Sequence, residues 1–319
     1  MRVAVVGAGV MGSATAWALR ERGAEVTVHE QFELDHDRGS SHGRTRIFRV
    51  AYPEPYWVRF AQEAYAGWRE LDPSLLGLYG LIELVADPAL TSGRALEECG
   101  VPHRLIDRDE VRAQGANLPE GWAALYIPDA GVVFADRACR AFVESSGVEV
   151  ETNRRIESIE EIDADVVVVT AGPWVRELVP DLPVTVTRET LAYFHRDGPP
   201  PPSIVDLNAE TGGHGMYSLY DPVYGLKAGA HHAGAEADPD EVGEPDPAIV
   251  ERIASWVRER FPDVDPEPVE AQTCVYTTTA DESFILERRG RVVIGSACSG
   301  HGFKFAPAIG RRLAALALD

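Results

Sequence analysis

The run Gly7-Ala8-Gly9-Val10-Met11-Gly12 constrains this chain more than any other feature, because of what stands on either side of it. Residues 2 to 6 read as a buried strand, Ser13 to Arg22 has the apolar spacing of a helix ending near Gly23, and a second strand runs from Glu25 to Glu30. Glycines at 7, 9 and 12 allow a tight strand-to-helix turn and close approach of the backbone to a pyrophosphate. Glu30 closes the second strand with a carboxylate that can accept ribose hydroxyls and would repel an additional phosphate there. A turn rich in glycine by chance needs no such acid. The chain therefore opens as a βαβ dinucleotide-binding unit, with Gly7, Gly9, Val10, Met11, Gly12 and Glu30 as candidate cofactor contacts.

Two later segments belong with it. Asp165 to Val169 is apolar without polar alternation, as in a parallel strand buried on both faces, and leads into Thr170-Ala171-Gly172-Pro173-Trp174, whose small residues admit a ligand. Near the end, a strand at Arg291 to Gly295 precedes the glycine-rich Ser299 to Phe305 and a helix from about Pro307, proline being favoured in a first helical turn. The intervening blocks, Asp72 to Val132 and Pro183 to Tyr276, lack the βαβ rhythm and read as irregular; Gly198 to Pro202 and the acidic Glu236 to Asp246 read as solvated loops. The expected fold class is α/β, or α+β overall: a Rossmann-like cofactor domain (1–82, 130–186 and 283–319) interwoven with a mixed-sheet substrate domain (83–129 and 187–282).

The 319 residues carry 30 Lys and Arg against 51 Asp and Glu, and the resulting formal charge of -21 repels nucleic acid and anionic lipid. Any anion must be held by locally gathered cations. Cys99, Cys139, Cys274 and Cys298 form no C-x-x-C pair, so neither a metal site nor a disulfide framework is expected, and a cytoplasmic location fits best. The apolar opening imitates a signal peptide, but its glycines fall where a strand turns into a helix. No stretch approaches the ~20 apolar residues that span a bilayer.

The glycine turn and Glu30 do not separate NAD from FAD. Gly39-Ser40-Ser41-His42-Gly43-Arg44-Thr45-Arg46-Ile47-Phe48-Arg49, with Lys227, His231, Cys274-Val275-Tyr276-Thr277 and Ser299-Gly300-His301-Gly302-Phe303-Lys304, resembles the monomeric sarcosine oxidase family, to which N-methyltryptophan oxidase belongs. The resemblance runs from Val3 to Leu318, strongest at both ends and weak from about 75 to 125. It implies FAD linked through its 8α methyl group to Cys274, whereas composition alone would make that cysteine a core residue. It also implies that Arg49 and Lys304 hold a substrate carboxylate, which two cations from opposite ends of a chain can do by charge-assisted hydrogen bonds. Either alone would pass as a surface charge. Arg46 is assigned to the flavin's field, Lys227 to promoting the reaction with oxygen, and His231, with Tyr217, to the vicinity of the amine.

Lys227 and His231, four apart on an expected strand, face the same side. Further cofactor contacts implied are Ser40, His42, Thr45, Arg46, Ala171, Gly172, Trp174, Gly300, Gly302, Phe303 and Lys304, with the final helix aimed at the flavin's N1 and C2 carbonyl. Cys298 is read as core; Arg188-Glu189-Thr190 and Tyr52, Tyr56 and Trp57 either line the site or pack the interior.

The implied activity is oxidation of a small secondary amine carrying a carboxylate, giving an imine and hydrogen peroxide, by a monomer whose partners are that amine and oxygen. The middle block is shorter than the family's, and the chain stops directly after its last helix. Alternatives are an oxidase of cyclic imino acids in a biosynthetic pathway, an NAD-dependent dehydrogenase, and a flavin-binding protein without catalysis.

Overall fold

The computed structural model describes residues 1–87, 91–207, 215–296 and 298–319. The expected domain segments 83–129, 187–282 and 283–319 contain residues 88–90, 208–214 and 297, which lie outside that description.

Four valines in a row, Val166–Val169, are wholly buried and lie inside a sheet of six strands among the described residues. On one side they run parallel to Val3 to Val6, and on the other Val167 to Val169 run parallel to Val292 to Ile294. Glu25–His29 and then Glu149–Glu151 extend the sheet beyond Arg2–Val6, while Ile285–Arg289 folds back antiparallel on Val292–Ser296. Beginning, middle and end of the chain thus share one sheet, and the continuous valine run follows from cover on both faces.

The first helix spans Val10–Glu21, beginning three residues before the position its apolar spacing suggested. Gly12 hides that start. It sits in the first turn, where a Cβ would lie 1.8 Å from the Gly7 carbonyl oxygen, so the residue that permits the turn carries no apolar signal. The final helix, Ala306–Leu318, packs against this one, and a Cβ on Gly310 would come within 2.4 Å of the Ala14 carbonyl oxygen.

The block from Pro183 to Tyr276 is more regular than expected. It contributes most of a nine-stranded mixed sheet among the described residues, in the order Ala235–Glu236, Thr185–His195, Gly225–Ala230, Met216–Asp221, Ser203–Asp206, Leu81–Val85, Ala123–Ile127, Arg104–Ile106. Glu270–Thr278 also pairs with Thr185–His195. The alternation that marks a half-exposed strand is missing because Thr190 to Phe194 are buried in succession and Leu81–Val85 is buried throughout. The helix Pro247–Arg260 buries Ile253, Trp256 and Val257 against this sheet.

The acidic segment is tied down as well. Asp240 pairs with Arg155 and accepts from Trp174 Nε1 at 2.7 Å, and Arg38 Nη2 donates to its carbonyl at 2.8 Å. In the proline-rich run, Pro201 and Pro202 are buried where the chain enters Ser203–Asp206.

A small third sheet, Thr45–Phe48 with Gly131–Phe134 and Leu76–Gly77, carries the segment after the glycine-rich Gly39 to Gly43. Pro55–Leu71 is an amphipathic helix whose Gly67 abuts Pro307, with Trp68 Nε1 donating to the Lys304 carbonyl at 2.7 Å. No helix among the described residues is long and apolar enough to cross a membrane.

Gly310→Ala should therefore destabilise the protein by about 1–3 kcal/mol, the usual cost of overpacking, since backbone rather than a mobile side chain blocks the methyl group. Urea unfolding of the variant would read this as a lower midpoint; an unchanged midpoint would show that the two helices separate freely.

Candidate active site

A cavity of about 560 Å³ runs from the Gly7 turn to Lys304. At the first end Gly7 has φ of 98°, and a Cβ there would lie 2.6 Å from the Thr170 carbonyl oxygen, so turn and valine strand meet backbone to backbone. Glu30 is buried and accepts from the amides of Ala8 at 2.7 Å and Phe32 at 3.1 Å. Its carboxylate therefore shapes the turn as well as facing the cavity. Ser41, which sequence reasoning passed over, accepts from the Val10 amide at 3.0 Å. Gly9, Met11, Ala171, Gly172 and Trp174 line the same end.

Cys274 lies on Glu270–Thr278 opposite Glu189 and is buried, with Sγ 3.9 Å from Arg46 Nη2. Arg46 is held by the carbonyls of Thr45 and Ser40, each at 3.0 Å, and by that of His42. Ser40 in turn donates to the Val275 carbonyl, joining the glycine-rich segment to the cysteine's strand. Burial, then the charges of Arg46 and Lys227, push the His42 imidazole down to about 4. Lys227 is buried and donates to the Thr45 carbonyl at 3.1 Å; burial, then Arg46, hold its ammonium well below the ordinary range.

Lys227 and His231 both face the cavity, though the strand ends at Ala230 and His231 stands just beyond it. His231 Nδ1 is 3.4 Å from the Tyr276 hydroxyl, and burial followed by the neighbouring His232 keeps the ring far below its usual basicity. Tyr217 lies across Gly229, where a Cβ would meet its hydroxyl at 2.6 Å, and burial raises its phenol to about 12. Tyr276 occupies space that Gly300 leaves open, a Cβ there falling 2.2 Å from its ring.

Arg49 and Lys304 converge on Tyr52. The Arg49 guanidinium stacks 4.4 Å from that ring's centre, and Lys304 Nζ donates to the Tyr52 hydroxyl at 3.1 Å and to the His301 carbonyl at 2.5 Å. Burial, then Arg49, lower the Lys304 ammonium well below its ordinary value. Gly300, Gly302 and Phe303 line the cavity beside it.

Tyr52, Tyr56 and Trp57 themselves are not in the cavity wall: Tyr52 is buried behind the two cations, Trp57 packs on Phe305 and Phe284, and Tyr56 is exposed. Glu189 and Thr190 reach the wall, whereas Arg188 points away to the carbonyls of Asp238 and Glu241. Cys298, expected in the core, packs against it while partly buried and also lines the cavity; a Cβ on Gly302 would fall 2.4 Å from its Cβ.

Among the described residues, Lys227, Lys304, Arg46 and Arg49 hydrogen-bond or stack on carbonyls, a hydroxyl, a thiol and aromatic rings, and Asp221 offsets only part of the charge at Lys227. An uncompensated buried charge costs several kcal/mol, so such a cavity favours an anionic guest. Thr277 Oγ1 and Ser296 Oγ, both in the cavity's wall residues, are buried with no hydrogen-bond partner among the described residues. With the Gly7 turn, the Val10–Glu21 helix end and Glu30, this donor set suits a dinucleotide bearing a polar ring system.

The family model for FAD dependent oxidoreductases matches residues 2–316. Human peroxisomal sarcosine oxidase is 32% identical over 98% of this chain and 91% of its own length. N-methyl-L-tryptophan oxidase of Yersinia pestis is 28% identical over 99% of the chain and 94% of its own. Among solved structures, an amino acid oxidase essential for nikkomycin biosynthesis superposes with a TM-score of 0.85 at 22% identity, covering 99% of this chain and 93% of that one.

The histidines give a pH dependence whose sign is fixed. His42 is depressed to about 4 and His301 to about 3, so in the unfolded chain both protonate first, near ~6.5. Acidification from that value toward about 4 should therefore remove stability. Urea midpoints at pH 7 and 5 would show the loss, and His42→Gln should make it smaller; an identical loss in the variant would refute the assignment.

Proposed function

The chain belongs to the FAD dependent oxidoreductase family, and on that premise we propose that it oxidises a small secondary amine bearing a carboxylate, of the N-methyl amino acid kind. The observation that carries this reading is the convergence of Arg49 and Lys304 on Tyr52, with no acidic partner among the described residues. The names of the sequence relatives support it, since sarcosine is N-methylglycine. Bound FAD would take the hydride equivalent from the carbon next to nitrogen and deliver its electrons to oxygen, so that hydrogen peroxide accompanies the imine. The family match sets aside the NAD-dependent alternative, and the full set of cavity cations argues against a flavin binder without catalysis.

The chain's own residues then have separate tasks. Arg49 and Lys304 bind the carboxylate and so fix the neighbouring carbon. An amine with a pKa of about 10, like lysine's, costs roughly 4 kcal/mol to deprotonate near pH 7. The cations crowding the cavity lower that cost by disfavouring a further positive charge. His231, kept neutral by burial, orients the amine or takes its proton, and Tyr217 closes the space beside it. Lys227, in its protonated form, offers a positive site for charge developing on oxygen. Arg46 lies against Cys274 Sγ, the atom we assign to the thioether with the flavin's 8α methyl.

Glu30, Gly7, Gly9, Val10, Met11 and Gly12 would hold the adenosine diphosphate portion, with Ala171, Gly172 and Trp174 alongside. Ser40, His42, Thr45, Gly300, Gly302 and Phe303 would surround the ring portion. We keep 1–82, 130–186 and 283–319 as the cofactor domain and 83–129 with 187–282 as the substrate domain. A cytoplasmic monomer fits four free cysteines and a substrate that a single cavity can enclose.

Two variants test the reading. Purified protein should remain yellow after acid precipitation, and Cys274→Ala should release all flavin into the supernatant; flavin retained by the variant would place the linkage elsewhere. Lys304→Met should raise KM for sarcosine roughly 10- to 100-fold, from the ~1.5–3 kcal/mol of a charged hydrogen bond at 1.4 kcal/mol per tenfold change. Peroxide release measured across N-methyl and cyclic amino acids, with their methyl esters, would define the substrate, and esters turning over as well as acids would overturn the carboxylate clamp.

A further inference from the structure

His231, His232 and the carboxylate of Glu282 each offer one ligand atom, and these atoms lie within 4.8 Å of one another. We propose that they form a binding site for a zinc-class divalent cation, placed between the cavity and solvent. The argument begins with the backbone. His232 has φ of 53° and Glu282 φ of 58°, both in the left-handed region that non-glycine residues enter at a cost. These two strained residues face each other, with His232 Nε2 3.7 Å from Glu282 Oε1.

Both sides are held from behind. The His231 amide donates to the Gly215 carbonyl at 2.9 Å, the Glu282 amide to that of Thr279 at 3.1 Å, and His301 Nε2 lies 3.1 Å from the Glu282 carbonyl. The Tyr276 ring wedges the imidazoles, its centre 5.5 Å from His231 and 5.4 Å from His232. The His232 side chain is 11% exposed and that of Glu282 50%, so an ion would enter from the carboxylate's side.

Two imidazoles and one carboxylate form a set that suits zinc, with water as a fourth ligand, whereas calcium and magnesium prefer oxygen-rich sites. Zinc bonds of about 2.0–2.2 Å place ligand atoms about 3.4 Å apart, so the site closes by rotation of the half-exposed Glu282 and the imidazoles. Arg49 and Lys304 oppose a cation here, and the Glu282 carboxylate offsets part of that opposition.

Because His231 also faces the cavity, a bound ion would draw its ring away from the amine and slow turnover. That consequence, unlike the site itself, rests on the function proposed above. Calorimetric titration of the flavin-loaded full chain with zinc chloride should give one ion per chain. His232→Ala and Glu282→Gln, with unchanged flavin absorbance showing an intact fold, should each weaken binding at least tenfold and relieve inhibition of peroxide release. No binding, or binding equally tight in both variants, would overturn the site. Zinc bound through these residues with turnover unaffected would support the site and overturn the role given to His231.

Discussion

Burying an ammonium group beside other cations runs against electrostatics, and this cavity does so at both Lys227 and Lys304. Neutral dipoles and ring faces lessen the penalty without cancelling it. The arrangement is tolerable because its members come from rigid parts of the molecule. Lys227 sits inside the nine-stranded sheet, Arg46 in the short Thr45–Phe48 strand, and Lys304 in a turn whose carbonyl is gripped by Trp68. A protein of formal charge -21 thereby keeps a positive interior that its surface does not foreshadow. Selectivity for an anionic guest then depends on short-range contacts, since long-range attraction has the wrong sign.

Legibility in the sequence followed the distance between cause and residue. The turn at Gly7, the valine strand and the final helix were readable because each is dictated by neighbours along the chain: a missing Cβ, an unbroken apolar run, a proline in the first turn. Arg49, Lys304 and Cys274 could be singled out through patterned segments, and the structure brings them to one cavity. Tyr52 and Tyr276 were not assigned roles because their importance lies in tertiary contacts, one beneath two cations and the other against a histidine. The nine-stranded sheet was concealed for a related reason, since strands covered on both faces lose the alternation by which they are recognised.

The acidic segment shows how composition can mislead about mechanics. Its residues are charged and mostly exposed, as a solvated loop requires, yet Asp240 draws together Arg155, Arg38 and Trp174. Trp174 belongs to the cavity wall near the Gly7 turn, and the segment follows an edge strand of the larger sheet. One aspartate therefore couples the surface of one sheet to the cavity end built by the other.

Tyr52 serves Arg49 through its ring and Lys304 through its hydroxyl. Neither cation can be exchanged without altering the footing of its neighbour, so mutational drift at the two positions should be epistatic rather than independent. A lineage whose cavity comes to hold a differently shaped guest would find it easier to remodel the opposite wall and leave this three-residue wedge intact.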